Sequence, residues 1–98
     1  MQPNFFIPQN TEELNNILSN DIIIIDFFAK WCAPCKIIGP IFEKLSNDFP
    51  NATFIKVDVE TFADVAKQHS IRNVPTILII KPNKLTSRLV GFTSEQQL

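Results

Sequence analysis

Ile22-Ile23-Ile24-Ile25-Asp26-Phe27-Phe28-Ala29-Lys30-Trp31-Cys32-Ala33-Pro34-Cys35-Lys36 is the stretch on which the fold turns. From Ile22 to Phe28 it is apolar on both faces apart from Asp26. A strand that does not alternate is covered on both sides, so this run predicts a central strand. Beyond the cysteines, Ile37, Ile38, Ile41, Phe42, Leu45 and Phe49 repeat at helical spacing, while Lys36, Glu43, Lys44 and Asn47 take the other face. Pro40 falls inside that helix, removes one backbone hydrogen bond and should kink the axis. Cys32 and Cys35 therefore stand where a strand hands over to a helix. They are the only two cysteines in the chain, so any sulfur chemistry happens there. A dithiol at this spacing closes into a disulfide and reopens, which is a two-electron switch.

Upstream, Asn4 to Ile7 reads as a short edge strand closed by Pro8. Asn10 then caps a helix, with Glu13 placed to reach back to it. Leu14, Ile17 and Leu18 form the apolar stripe of that helix, and Asn20-Asp21 ends it. Downstream, Thr53 to Asp58 is a second long strand, and Phe62, Val65, Ala66 and His69 mark one face of a third helix. Thr76 to Ile80 is β-rich, Lys81-Pro82-Asn83-Lys84 supplies turn chemistry, and Leu85 to Val90 returns as a more polar strand. Ser94-Glu95-Gln96-Gln97 has the form of a capping box, and the sequence stops at Leu98. The order is β-α-β-α-β-α-β-β with a last helix barely begun. Early alternation argues for parallel strands joined by helices, and the final pair for a hairpin on one side of a mixed sheet.

Composition narrows the function. The 98 residues are 45% hydrophobic, which suits one small globular domain spanning 1–98. A net charge of −1 gives no reason to expect nucleic acid or an anionic membrane as partner. The first residues lack a basic segment followed by a long apolar one, which argues against a secretory signal. Ile22 to Ile25 is too short to span a bilayer. Two cysteines are too few for a disulfide scaffold, so a reducing, cytoplasmic compartment is expected.

Taken together, Asp26-Phe27-Phe28-Ala29-Lys30-Trp31-Cys32-Ala33-Pro34-Cys35-Lys36, Pro40, Val57-Asp58, Ile71-Arg72-Asn73-Val74-Pro75-Thr76 and Val90-Gly91 resemble the thioredoxin family along nearly the whole chain. The resemblance implies an α/β thioredoxin fold, with a central mixed sheet flanked by helices. There are three departures. Ala33 and Asn83 stand where the family usually has glycine, and the last helix is cut after about one turn. A helix that short is not stable alone. The alternatives are a natural chain that continues, a trimmed one, or another chain over the exposed face.

The resemblance also implies roles. Cys32 opens the second helix, where unpaired N–H groups and the helix dipole favour a thiolate, so it is the expected nucleophile. Cys35, expected to be the more buried, is the resolving thiol. Pro34 costs no helical hydrogen bond at its position and pre-sets the turn. Asp26, an acid inside an apolar strand, should be desolvated and is the candidate proton acceptor for Cys35, in the family through a water. Lys56 matches a family lysine close to that acid. Pro75 matches the family's cis-proline, which faces the cysteines. Val74, just before it, would pair through its backbone with an extended client, and Trp31, Ala33, Pro34 and Gly91 would line the same shallow surface.

The expected function is reduction of protein disulfides, acting on disulfide-containing client proteins as a monomer. With only two glycines and no G-x-G-x-x-G, no nucleotide site and no bound cofactor are expected. By resemblance, electrons come from NADPH through a partner flavoprotein, a thioredoxin reductase. Half a zinc site is the competing reading of the cysteines, but only His69 is on offer as a further ligand of that kind, a helix away. A structural staple is disfavoured because so tight a loop removes little chain entropy. His69 reads as a helix C-terminal residue rather than a base. Two further readings stand: disulfide oxidation or isomerisation, and a redox or client-binding module of a larger protein. Isomerase domains usually carry histidine at the Pro34 position, and this chain does not.

Overall fold

A computed structural model describes residues 4–17, 21–82 and 86–90, without the side chains of 86, 89 and 90. The elements are β1 (Phe5–Phe6), α1 (Thr11–Asn15), β2 (Ile23–Phe28), α2 (Ala33–Asp48), β3 (Thr53–Asp58), α3 (Ala63–Gln68), β4 (Thr76–Ile80) and β5 (Thr86–Val90). They build one five-stranded sheet in the order β1-β3-β2-β4-β5. β3 runs parallel to both β1 and β2, while β4 runs antiparallel to β2 and to β5. The sheet is mixed and β2 lies at its centre, as the unbroken apolar run predicts.

Alternation along the strands separates two apolar layers. Ile25 and Phe27 of β2 join Ile55, Val57, Leu78 and Phe62 on one face, against which Leu14, Ile17 and Val65 pack. Phe54 and Ile77 join Phe42 of α2 on the other, with Ile24, Leu45 and Ile79 partly buried beside them. The Phe42 and Phe54 rings meet edge to face at 5.2 Å between centroids. The first layer belongs to α1 and α3, the second to α2.

Several local expectations need correction. α1 ends at Asn15 with Asn16 as its C-cap, short of Ile17 and well short of Asp21. Asn10 does cap it, accepting the Glu13 N–H at 2.9 Å. The Glu13 carboxylate, however, accepts the N–H of Gln9 at 2.8 Å, so the capping box closes one residue early. Along α2 the buried positions are Cys35, Ile38, Gly39, Phe42 and Ser46. Ile37 and Phe49 are 55% and 56% exposed, so neither belongs to the buried stripe. Isoleucine recurs all round the first turns of this helix, and apolarity alone does not mark the covered face. Ser46 and Gly39 are covered because they lie in line with Cys35 and Phe42. Pro40 lies inside the helix as expected. Leu18, Asn20, Asn83, Lys84, Leu85, Gly91 and the helix expected from Ser94 fall outside the described residues.

Asn4 ties the sheet edge to the end of α2. Its Nδ2 donates to the carbonyls of Ser46, Phe49 and Ala52 at 2.9, 3.1 and 2.9 Å. One side chain thus satisfies carbonyls left over at the helix C-terminus. It also fixes the segment that leads into β3.

Candidate active site

β2 leaves the sheet at Ala29, and α2 begins at Ala33. Cys32 is the N-cap of α2, with extended backbone, and Pro34 sits in the first helical turn. Pro34 lacks only an N–H that would have no intrahelical partner there. Cys32 and Cys35 form a disulfide with Cα atoms 5.3 Å apart. The Cys35 N–H donates to Sγ of Cys32 at 3.2 Å. Sγ of Cys32 therefore occupies the position a serine or aspartate oxygen takes at an ordinary N-cap. A negative charge on that sulfur is favoured by the exposed N–H groups and the helix dipole.

The two cysteines are equally buried, at 4% and 3% exposed, so burial does not distinguish Cys35 as the more hidden thiol. What distinguishes them is the direction of that hydrogen bond. They pack with Ala29, and Phe28, Val59 and Val74 close around them. Ala33 and Pro34 are exposed on the helix tip, and Trp31 is 70% exposed.

The loop before β4 completes this surface. The Val74–Pro75 peptide bond is cis, and Pro75 is fully buried. The Thr76 hydroxyl donates to the Asn73 carbonyl at 2.6 Å, closing the loop across the proline. Trp31, Val59, Ile71, Arg72, Asn73 and Val74 line a shallow groove of ≈ 330 Å³. Trp31 and Val74 are brought together there as expected. Val59, Ile71, Arg72 and Asn73 were not named as site residues from the sequence. Only the nearness of Ile71-Arg72-Asn73 to Val74-Pro75 pointed at three of them, and nothing pointed at Val59. Gly91 lies outside the described residues.

Asp26 lies deeper. Its register partners are Lys56 on β3 and Ile77 on β4. Directly paired residues share a face, and Ile77 packs under Phe42; Asp26 thus belongs to the α2 side of the sheet. It is 0% exposed, and neither carboxylate oxygen has a hydrogen-bond partner among the described residues. Burial pushes its pKa from 3.8 up to about 6, while the positive charge of Lys56 pulls the other way. The carboxyl therefore gains and releases a proton close to neutral pH. Nζ of Lys56 lies 4.6 Å from the centre of the Phe28 ring, a cation–π contact.

His69 is the C-cap of α3, with its ring 6.0 Å from that of Phe27. Among the described residues, no three His, Cys, Asp or Glu side chains are grouped to hold a metal ion. Nor is any described helix long and apolar enough to cross a membrane.

Comparison with known proteins agrees with this geometry. The family model described as Thioredoxin matches residues 5–98. The thioredoxin of Mycoplasmoides gallisepticum is 39% identical over 90 residues, covering 91% of this chain and 90% of that protein. A peptide-N(4)-(N-acetyl-beta-glucosaminyl)asparagine amidase of Caenorhabditis elegans is 48% identical over 87 residues, which are 85% of this chain but 14% of the amidase. Among solved structures, the reduced thioredoxin pre-protein of Schistosoma mansoni superposes with a TM-score of 0.84 at 33% identity, covering 96% of this chain and 90% of that one.

Proposed function

The chain belongs to the thioredoxin family and is a thiol–disulfide oxidoreductase of the protein-disulfide reductase type; on that premise we propose how its residues share the reaction. The redox-active centre is the Cys32–Cys35 pair, and the family implies disulfide-containing client proteins. In the reduced protein, the Cys32 thiolate attacks one sulfur of a client disulfide. The client's other sulfur leaves with the electron pair, and a mixed disulfide joins Cys32 to the client. Cys35 then gives its proton to the Asp26 carboxylate and attacks Sγ of Cys32. The second client sulfur leaves, the client departs as a dithiol, and the Cys32–Cys35 disulfide remains. Two electrons have passed from the pair to the client.

The observation that carries this order of attack is the hydrogen bond from the Cys35 N–H to Sγ of Cys32. It supports a stabilised anion on Cys32 and none on Cys35. Asp26 suits proton transfer because its pKa of about 6 lies close to the working pH. Lys56 tunes that value. The backbone of Val74 pairs with an extended client segment. Trp31, Ala33, Pro34 and cis Pro75 form the surface around it. The exposed Trp31 and the shallowness of the groove suit a protein segment better than a small molecule.

Residues 1–98 act as one domain and as a monomer, in the cytoplasm. NADPH supplies the electrons through a flavoprotein reductase, which makes this protein an electron carrier. The match to the M. gallisepticum thioredoxin along 90% of its length favours this reading over that of a recruiting module. Insulin-disulfide reduction driven by a dithiol reductant tests it. The intact protein turns over, Cys32→Ser does not, and Cys35→Ser accumulates a mixed disulfide with the client. Turnover by Cys32→Ser at the rate of the intact protein overturns the assignment.

A further inference from the structure

Gly39 is one of only two glycines in the chain, and it sits at a buried position inside α2. Glycine is among the poorest helix formers, so its presence there calls for a physical reason. A Cβ at Gly39 would come within 3.3 Å of Nζ of Lys56, closer than ordinary van der Waals contact. Lys56 reaches that point from β3, where it pairs with Asp26. Its ammonium lies 4.6 Å from the centre of the Phe28 ring. Asp26 and Phe28 are alternate residues of β2 and share the α2 face. The ammonium thus occupies a slot bounded by helix backbone, an aromatic ring and the strand that bears the carboxylate.

We propose that Gly39 is a positioning residue for Asp26: its missing side chain leaves, between α2 and the sheet, the space that holds the Lys56 ammonium beside that carboxylate. The functional meaning rests on Asp26 being the proton acceptor; the geometry does not. From β3, Lys56 faces Asp26, and Asp58 lies two residues further along, with Oδ2 4.0 Å from Nζ of Lys30. β4 presents uncharged Ile77. Of the titratable residues of α2, only Cys35 is buried on the helix face that packs on the sheet, and it does not titrate while oxidised. Lys56 also lines a cleft of ≈ 170 Å³ with Ile7, Pro8, Gln9, Lys30 and Asp58. A Cβ at Gly39 makes the ammonium give way by a few tenths of an ångström, and a longer side chain takes the slot from it, which on this proposal leaves the ammonium further from the carboxylate. Withdrawing a positive charge raises the pKa of an acid.

Gly39 also precedes Pro40, and a residue before proline is crowded in the helical region. A glycine there would relieve that crowding without any reference to Lys56, and the test must separate the two causes. Asp26 is titrated by carboxyl ¹³C NMR in the oxidised full chain. Gly39→Ala and Gly39→Met are each compared with the parent, with Lys56 present and with Lys56→Met. The expected upward shift is about one pH unit for Gly39→Met, whose side chain takes the slot, and a smaller one for Gly39→Ala, whose Cβ moves the ammonium only slightly. In the Lys56→Met background neither substitution moves the titration further. No shift, a downward shift, or an equal shift without Lys56 overturns the proposal and assigns Gly39 to the backbone before Pro40. If Gly39→Met does not fold, Gly39→Ala carries the test alone. A normal shift combined with unimpaired mixed-disulfide release in Asp26→Ala upholds the slot and overturns the role proposed for Asp26.

Discussion

Asp26 and Lys56 stand opposite each other on adjacent parallel strands, both beneath α2. The lysine alone does not hold the acid at its ordinary pKa. Desolvation of a carboxyl that is 0% exposed outweighs the attraction, and the pKa of Asp26 settles at about 6. The fold thereby gives up stability at neutral pH to hold a group that exchanges a proton there.

The first prediction concerns that cost. Because the folded pKa is raised, the folded protein holds a proton between pH 3.8 and about 6 that the unfolded chain has released. The stability linked to this proton is complete below pH 3.8 and is lost as the pH rises through about 6. A gap of that size corresponds to roughly 3 kcal/mol. Urea unfolding of the oxidised protein at pH 8 should show Asp26→Ala more stable than the parent by roughly 1–3 kcal/mol, cavity cost included. The difference should shrink to zero or reverse near pH 4. An Asp26→Ala protein less stable than the parent at pH 8 contradicts the raised pKa.

The second prediction concerns the order of steps. Asp26→Ala should leave formation of the mixed disulfide nearly unchanged and slow its resolution by about tenfold or more, since a positioned acid or base contributes on that scale or above. Rapid mixing with a chromogenic disulfide, followed by acid quench, separates the two rates. Equal slowing of both counts against a proton-transfer role.

A third prediction lies away from the chemistry. Asn4→Ala leaves the carbonyls of Ser46, Phe49 and Ala52 without the donor they share. It should cost about 1–3 kcal/mol in urea unfolding with an unchanged denaturant slope. Insulin reduction by the folded fraction should be unaffected. An unchanged midpoint means that water replaces Asn4 at no cost.

Legibility in the sequence follows the range of the interaction concerned. The bounds of β3 and β4 fall where the apolar runs predict them, and β2 is one residue shorter, because a strand covered on both faces announces itself locally. The cysteine turn, the burial of Asp26 and the cis bond before Pro75 were legible from motif and resemblance together. The covered face of α2 was not, because isoleucine at positions 37, 38 and 41 offers several candidate stripes. Only packing on the sheet selects the covered face, where Ile38 is buried and Phe42 packs with Phe54 and Ile77. The Asn4 clamp joins residues more than forty positions apart, and nothing about an asparagine near a strand signals it. Gly39 is similar, since its neighbour Lys56 comes from another element.

The pH dependence of Cys32 alkylation in the reduced protein tests the central claim most directly. A sulfur that takes the place of an N-cap oxygen and accepts the Cys35 N–H should ionise well below the ordinary thiol value of about 8.5. Iodoacetamide should therefore modify Cys32 rapidly at neutral pH, with the rate already near its plateau, while Cys35 reacts slowly. A Cys32 that alkylates no faster than a peptide thiol, with its rate still climbing beyond pH 8, contradicts the account.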